Sequence, residues 1–120
     1  MASGRLNSPI LMNEEIAKAA TRYSKACSFR ECAGSAAVII TTTAGTITVS
    51  QQCSSDGDTW YDPTDTAGSA LGVIRTALGI TTGVYTPFTP VMCEWIRFKV
   101  VEANVAATTV TIRLMFRQEV

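Results

Sequence analysis

Residues 51–63, QQCSSDGDTWYDP, hold many of the side chains able to do chemistry: Cys53, Ser54, Ser55, Asp56, Asp58 and Asp62. With Asp65 just beyond, four carboxylates lie close enough together to offer a hard cation several oxygens. The EF-hand order of alternating acids, a glycine at the sixth place and a glutamate at the twelfth is missing. An Asp-Gly pair between strand-like segments is also the strongest short-range hairpin signal. Gly57 can take the left-handed conformation, and Asp56 or Ser55 can hydrogen-bond the local backbone. The stretch is therefore predicted to be a turn that binds no metal. Trp60 and Tyr61 are then expected on opposite faces of the returning strand, one packed inward and the other outward.

Cys27, Cys32, Cys53 and Cys93 raise a second chemistry. Structural zinc takes cysteines paired about two to four residues apart, often with histidine. Here Cys53 and Cys93 are isolated and the chain has no histidine. Disulfides need an oxidising compartment. The opening MASGRLNSPILMNEE has no basic segment followed by a long apolar one, so neither secretion nor membrane insertion is expected. The cysteines are predicted to be free thiols buried as small hydrophobes.

Catalysis finds little support. Without histidine the chain lacks the commonest general base and the usual partner of a serine or cysteine nucleophile. Glycosidase chemistry needs two carboxyls facing each other across a cleft, whereas Asp56 and Asp58 share one turn. The glycine pairs GSALG and GITTG lack the lysine of a phosphate-cradling loop. No enzymatic activity and no cofactor are expected.

The elements that position these residues are mostly strands. The 120 residues suit one domain. TITVSQQC alternates Ile47, Val49, Gln51 and Cys53 against Thr46, Thr48, Ser50 and Gln52; with AAVIITT before it and Ala44-Gly45 between, it reads as a hairpin. EWIRFKVV sets Ile96, Phe98 and Val100 against Trp95, Arg97 and Lys99, and TTVTIRLMFR sets Val110, Ile112, Leu114 and Phe116 against its threonines and arginines. These two read as a second hairpin. Residues 62–90 read as loop with a short strand near 84–88, and RYSKACSFRE as a first strand. Residues 1–20 read as an N-terminal arm, in which Asn13 caps a short helix through NEEIAKAA. The fold expected is all-β: a single antiparallel β-sandwich over residues 21–120, with an extended N-terminal arm and one short helix.

Charge bounds the partners. Charged residues make up 17% of the chain against a usual share of about 25%. Ten Lys and Arg balance ten Asp and Glu. Arg97 and Lys99 beside Trp95 could form a nucleic-acid platform, but zero net charge favours a solvated or protein-covered face. No apolar run approaches the roughly 20 residues that span a bilayer. Neither nucleic acid nor membrane is expected as a partner, and the thin polar cover points to surfaces covered by other proteins.

ITVSQQCSSDGDTWYDP, followed by EWIRFKVVEANVAATTVTIRLMFR, resembles the small β-sandwich virion proteins of tailed bacteriophages: head decoration (cement), neck and tail proteins. The likeness covers residues 36–118. It implies a non-enzymatic structural subunit, made in the host bacterial cytoplasm, locked into the virion and associating with the major capsid protein, with neck or tail subunits, or with copies of itself. A decoration protein is the leading expectation; a neck or tail protein and a carbohydrate-binding module are the alternatives. On this reading Leu6, Ile10, Leu11 and Met12 of the arm lie across a neighbouring subunit. Tyr61 or Trp95, whichever faces outward, is the aromatic anchor.

Overall fold

The computed structural model describes residues 5–29 and 32–118. Its strands build two antiparallel sheets packed face to face, and the described residues contain no helix. In the first sheet, β1 (Arg5–Asn7) and β2 (Ile10–Ile16) lie end to end along one side of β10 (Thr108–Gln118). β5 (Cys32–Thr42) lies on the other side of β10, and β8 (Thr81–Phe88) beyond it. In the second, β3 (Thr21–Tyr23) and β4 (Cys27–Ser28) flank β9 (Trp95–Glu102), followed by β6 (Ile47–Ser54) and β7 (Val73–Leu78). Counting each end-to-end pair as one strand, the orders 2-10-5-8 and 3-9-6-7 are those of a double-sheet jelly roll.

Alternation decides which side chains fill the space between the sheets. Ile96, Phe98 and Val100 of β9 are fully buried, as are Ile47 and Val49 of β6, facing Val38, Ile40, Val110, Ile112 and Leu114 of the other sheet. Each such side chain contributes about 1.5–3 kcal/mol by leaving water. Trp95, Arg97 and Lys99 point the other way and are half-buried, as the period of two requires.

The alternation identified the inward faces correctly but paired the strands wrongly. β5 and β6 are not a hairpin, nor are β9 and β10; each pair crosses from one sheet to the other. A crossing turns the two apolar faces toward each other at once, whereas a hairpin would leave both on one side needing a further layer. The two crossings lie side by side. Thr108 Oγ1 accepts the N–H groups of Thr43 and Ala44 at 3.3 and 3.2 Å, and Thr43 Oγ1 accepts the Thr109 N–H at 2.9 Å.

The N-terminal region also differs from expectation. Residues 13–16 continue β2 instead of opening a helix, pairing Asn13 with Thr111 and Ile16 with Thr108. An isolated short helix is marginal in water, and its cap contributes less than burial of Ile16 on the sheet. Arg113 pairs with Ile10 and Ile112 with Met12, so Leu11 is an extra residue in the ladder. This bulge turns the consecutive Leu11 and Met12 both inward. Further along, the stretch expected as loop contains β7, an edge strand whose register against β6 slips twice.

Candidate functional site

The Asp-Gly turn is built by its own side chains. Ser54 Oγ accepts the N–H groups of Asp56 and Gly57 at 3.2 and 2.8 Å, and Asp56 Oδ1 accepts those of Asp58 and Thr59 at 2.8 and 2.9 Å together with the Ser54 hydroxyl. Gly57 takes φ = +80°. The N–H of Thr59, then that of Asp58, holds the Asp56 carboxyl below its usual range. One carboxylate oxygen is thus engaged by the loop itself. Among the described residues no group of three or more His, Cys, Asp or Glu is placed to hold a metal.

Beyond the turn, Tyr61 exchanges both backbone hydrogen bonds with Cys53, at 3.0 and 2.9 Å, and the chain then leaves the sheet. This bridge is isolated, so Trp60 and Tyr61 do not alternate as a strand would, and neither enters the core. Trp60 lies on the outer face of the second sheet. There the Arg97 guanidinium sits between its ring and that of Tyr23, 4.5 and 4.2 Å from the two ring centres. Arg97 Nε donates to Gln52 Oε1 at 2.8 Å, Gln52 Nε2 donates to Asp62 Oδ1 at 2.8 Å, and Lys99 Nζ stands 4.0 Å from Asp62 Oδ2. The cations that suggested a platform are therefore matched within the chain. Tyr23 and Gln52 had no local signal for this role, because the stack joins three distant segments.

The residues expected to meet a partner divide in two. Leu6, Ile10 and Tyr61 are exposed, 71%, 47% and 62%, and Trp95 is half-buried under Gly57. Leu11 and Met12 are buried in the chain's own core, because the bulge in β2 directs both inward; they are not free to lie across a neighbour. Tyr85, which the sequence did not single out, is exposed on the first sheet and lines a hollow with Leu6, Pro87, Met115 and Arg117.

The cysteines differ from expectation as well. All four are free but only half-buried, because they sit near the ends of strands and in the link before β9 and not in the middle of the core. Cys53 and Cys93 open on a cleft of about 800 Å³ that Ser54, Ser55, Tyr61, Met92 and Glu94 also line.

No protein-family model matches the chain, and no curated protein matches its sequence. Solved structures do match. The SPBc2 prophage-derived protein YomS superposes over 98% of this chain and 97% of its own, with a TM-score of 0.61 at 13% identity. A subunit of the Bacillus endospore appendages, described as disulfide-linked pili, covers 100% of this chain and 91% of its own, with a TM-score of 0.54 at 13% identity. The VP2 protein of the infectious bursal disease virus subviral particle covers 97% of this chain with a TM-score of 0.58 at 10% identity, and this chain spans 33% of VP2. At such identities the likeness is one of fold: the chain has a β-sandwich also found in a prophage-derived protein and in a viral capsid protein.

Proposed function

We propose that the chain is a structural subunit of a bacteriophage virion, a decoration (cement) protein that stabilises the shell through protein–protein contacts. The observation that carries this reading is the match of the whole fold, end to end on both chains, with a prophage-derived protein. The same sandwich in a viral capsid protein supports it. So does a surface with few charges that exposes Leu6, Ile10, Tyr61 and Tyr85. In this reading the chain is made in the bacterial cytoplasm and does no catalysis, and its partners are the major capsid protein and copies of itself. Leu6 and Ile10 at the sheet edge, with Tyr61 and Trp95, are the contacts; Leu11 and Met12 support them from within.

Light scattering on the purified protein, alone and with shells assembled from the major capsid protein of the same genome, tests the proposal. Binding that depends on shells is the expected result. A closed ring formed by the isolated protein, with no affinity for shells, would instead indicate a neck or tail subunit and contradict decoration.

A further inference from the structure

Ile47, Val49, Gln51 and Cys53 face inward along β6, so Gln51 carries a primary amide into the interior, where it is 2% exposed. Its Oε1 accepts the Val91 N–H at 3.1 Å and its Nε2 donates to the Val91 carbonyl at 2.9 Å. An amide nitrogen has two hydrogens, and the second serves two sulfurs, Cys53 Sγ at 3.3 Å and Cys93 Sγ at 3.6 Å. By clamping Val91, Gln51 fixes the link between β8 and β9 and brings Cys93 and Cys53 to the same amide nitrogen. Both sulfurs thus flank one amide nitrogen, and both thiols are half-buried beside the open cleft.

We propose that Cys53 and Cys93 form a dithiol–disulfide pair, in which Cys53 attacks a small soluble disulfide entering the cleft and Cys93 resolves the adduct. This inference does not depend on the virion reading.

The environment divides the roles. The hydrogen bond from Cys93 draws the Cys53 thiol below its usual value; burial opposes this and Gln51 adds to it. Burial alone pushes Cys27 and Cys32 up. The thiolate is the nucleophile, so Cys53 is the more reactive sulfur. It gives its proton to water and attacks one sulfur of the disulfide RSSR, the S–S bond breaks, and RS⁻ leaves and takes a proton from water. Cys93 is pushed up first by its hydrogen bond with Cys53, then by burial and by the charge on Cys53. Formation of the mixed disulfide removes that charge and weakens that bond, so Cys93 can lose its proton to water. Its thiolate attacks Cys53 Sγ and expels the second RS⁻. Two protein thiols are oxidised by two electrons to one cystine, and RSSR is reduced to two thiols.

The test incubates the native full-length chain with glutathione disulfide and follows each cysteine by mass spectrometry after trapping free thiols. Wild type is expected to form a Cys53–Cys93 cystine without lasting glutathione adducts. Cys93→Ala is expected to stop with one glutathionyl group on Cys53, and Cys53→Ala to react about tenfold more slowly or less. The wild-type experiment needs no variant to fold. Absence of reaction, lasting adducts on the wild type, a cystine joining Cys93 to Cys32, or four thiols reacting at the rates they show in urea would each overturn the proposal.

Discussion

The carboxylate of Glu102, at the end of β9, accepts the backbone N–H of Ala19 at 2.9 Å across 83 residues of sequence. The same carboxylate accepts Thr46 N–H at 3.1 Å and Val105 N–H at 3.0 Å. One buried side chain thus joins three of the links in which the chain passes between sheets, β2 to β3, β5 to β6 and β9 to β10. The topology that sequence periodicity could not supply is held at this point.

Replacing Glu102 by Gln puts an amide N–H₂ among backbone donors, leaving buried hydrogens without acceptors. Glu102→Gln is expected to lower the thermal midpoint at pH 7 more than Glu14→Gln or Glu15→Gln, both on exposed positions of β2. Thermal unfolding followed by circular dichroism measures the difference.

The pH dependence follows from the same group. The Ala19 N–H, then those of Thr46, Val105 and Ala106, hold the Glu102 carboxyl down to about 2 against burial, from an ordinary value of 4.5. A carboxyl depressed in the folded state contributes stability that is present above its unfolded value and lost as pH falls toward the folded one. Wild-type stability is expected to fall between about pH 5 and pH 2. Asp56, also depressed, adds to the fall. In Glu102→Gln the fall should be shallower; an identical slope by urea titration would remove Glu102 from this role.

Two glycines separate strain from crowding. Gly45 takes φ = +65°, and a Cβ there would lie 2.8 Å from Glu102 Oε2 and 2.6 Å from the Ala106 carbonyl oxygen. Gly57 takes φ = +80°, but a Cβ there would meet the Trp95 ring at an ordinary 3.5 Å. Gly57→Ala should cost about 1 kcal/mol. Gly45→Ala should cost about 3 kcal/mol or more, from backbone strain combined with displacement of Glu102. Urea denaturation of both variants gives the comparison.

The N-terminal segment provides a further contrast. Leu11→Ala removes a core side chain and should cost about 2–5 kcal/mol of stability. Leu6→Ala, at an exposed position, should change stability by no more than about 0.5 kcal/mol and, under the proposed decoration role, weaken attachment to the shell. Equal effects on stability would contradict the placement of Leu11 in the chain's own core.

The period of two located the buried faces of β6, β9 and β10, because each is central in its sheet and buries most of one face. It could not name their partners: Val110 pairs with Thr42 and Val49 with Val100, contacts that no local pattern encodes. β7 escaped because an edge strand with Leu78 as its only buried residue shows no alternation. The bulge at Leu11 broke the period of two in β2, and Asn13 with the acidic residues after it carried the signals of a helix start. The Cys53–Cys93 pair had one legible sign, a glutamine at an inward position of an otherwise apolar series, since a buried amide must find partners.

The proposed virion role is tested most directly by mass spectrometry of virus particles purified from a culture that produces the chain. The expected result is the chain in fixed proportion to the shell protein, retained through washing. Its presence in the lysate and absence from the particles would contradict that role.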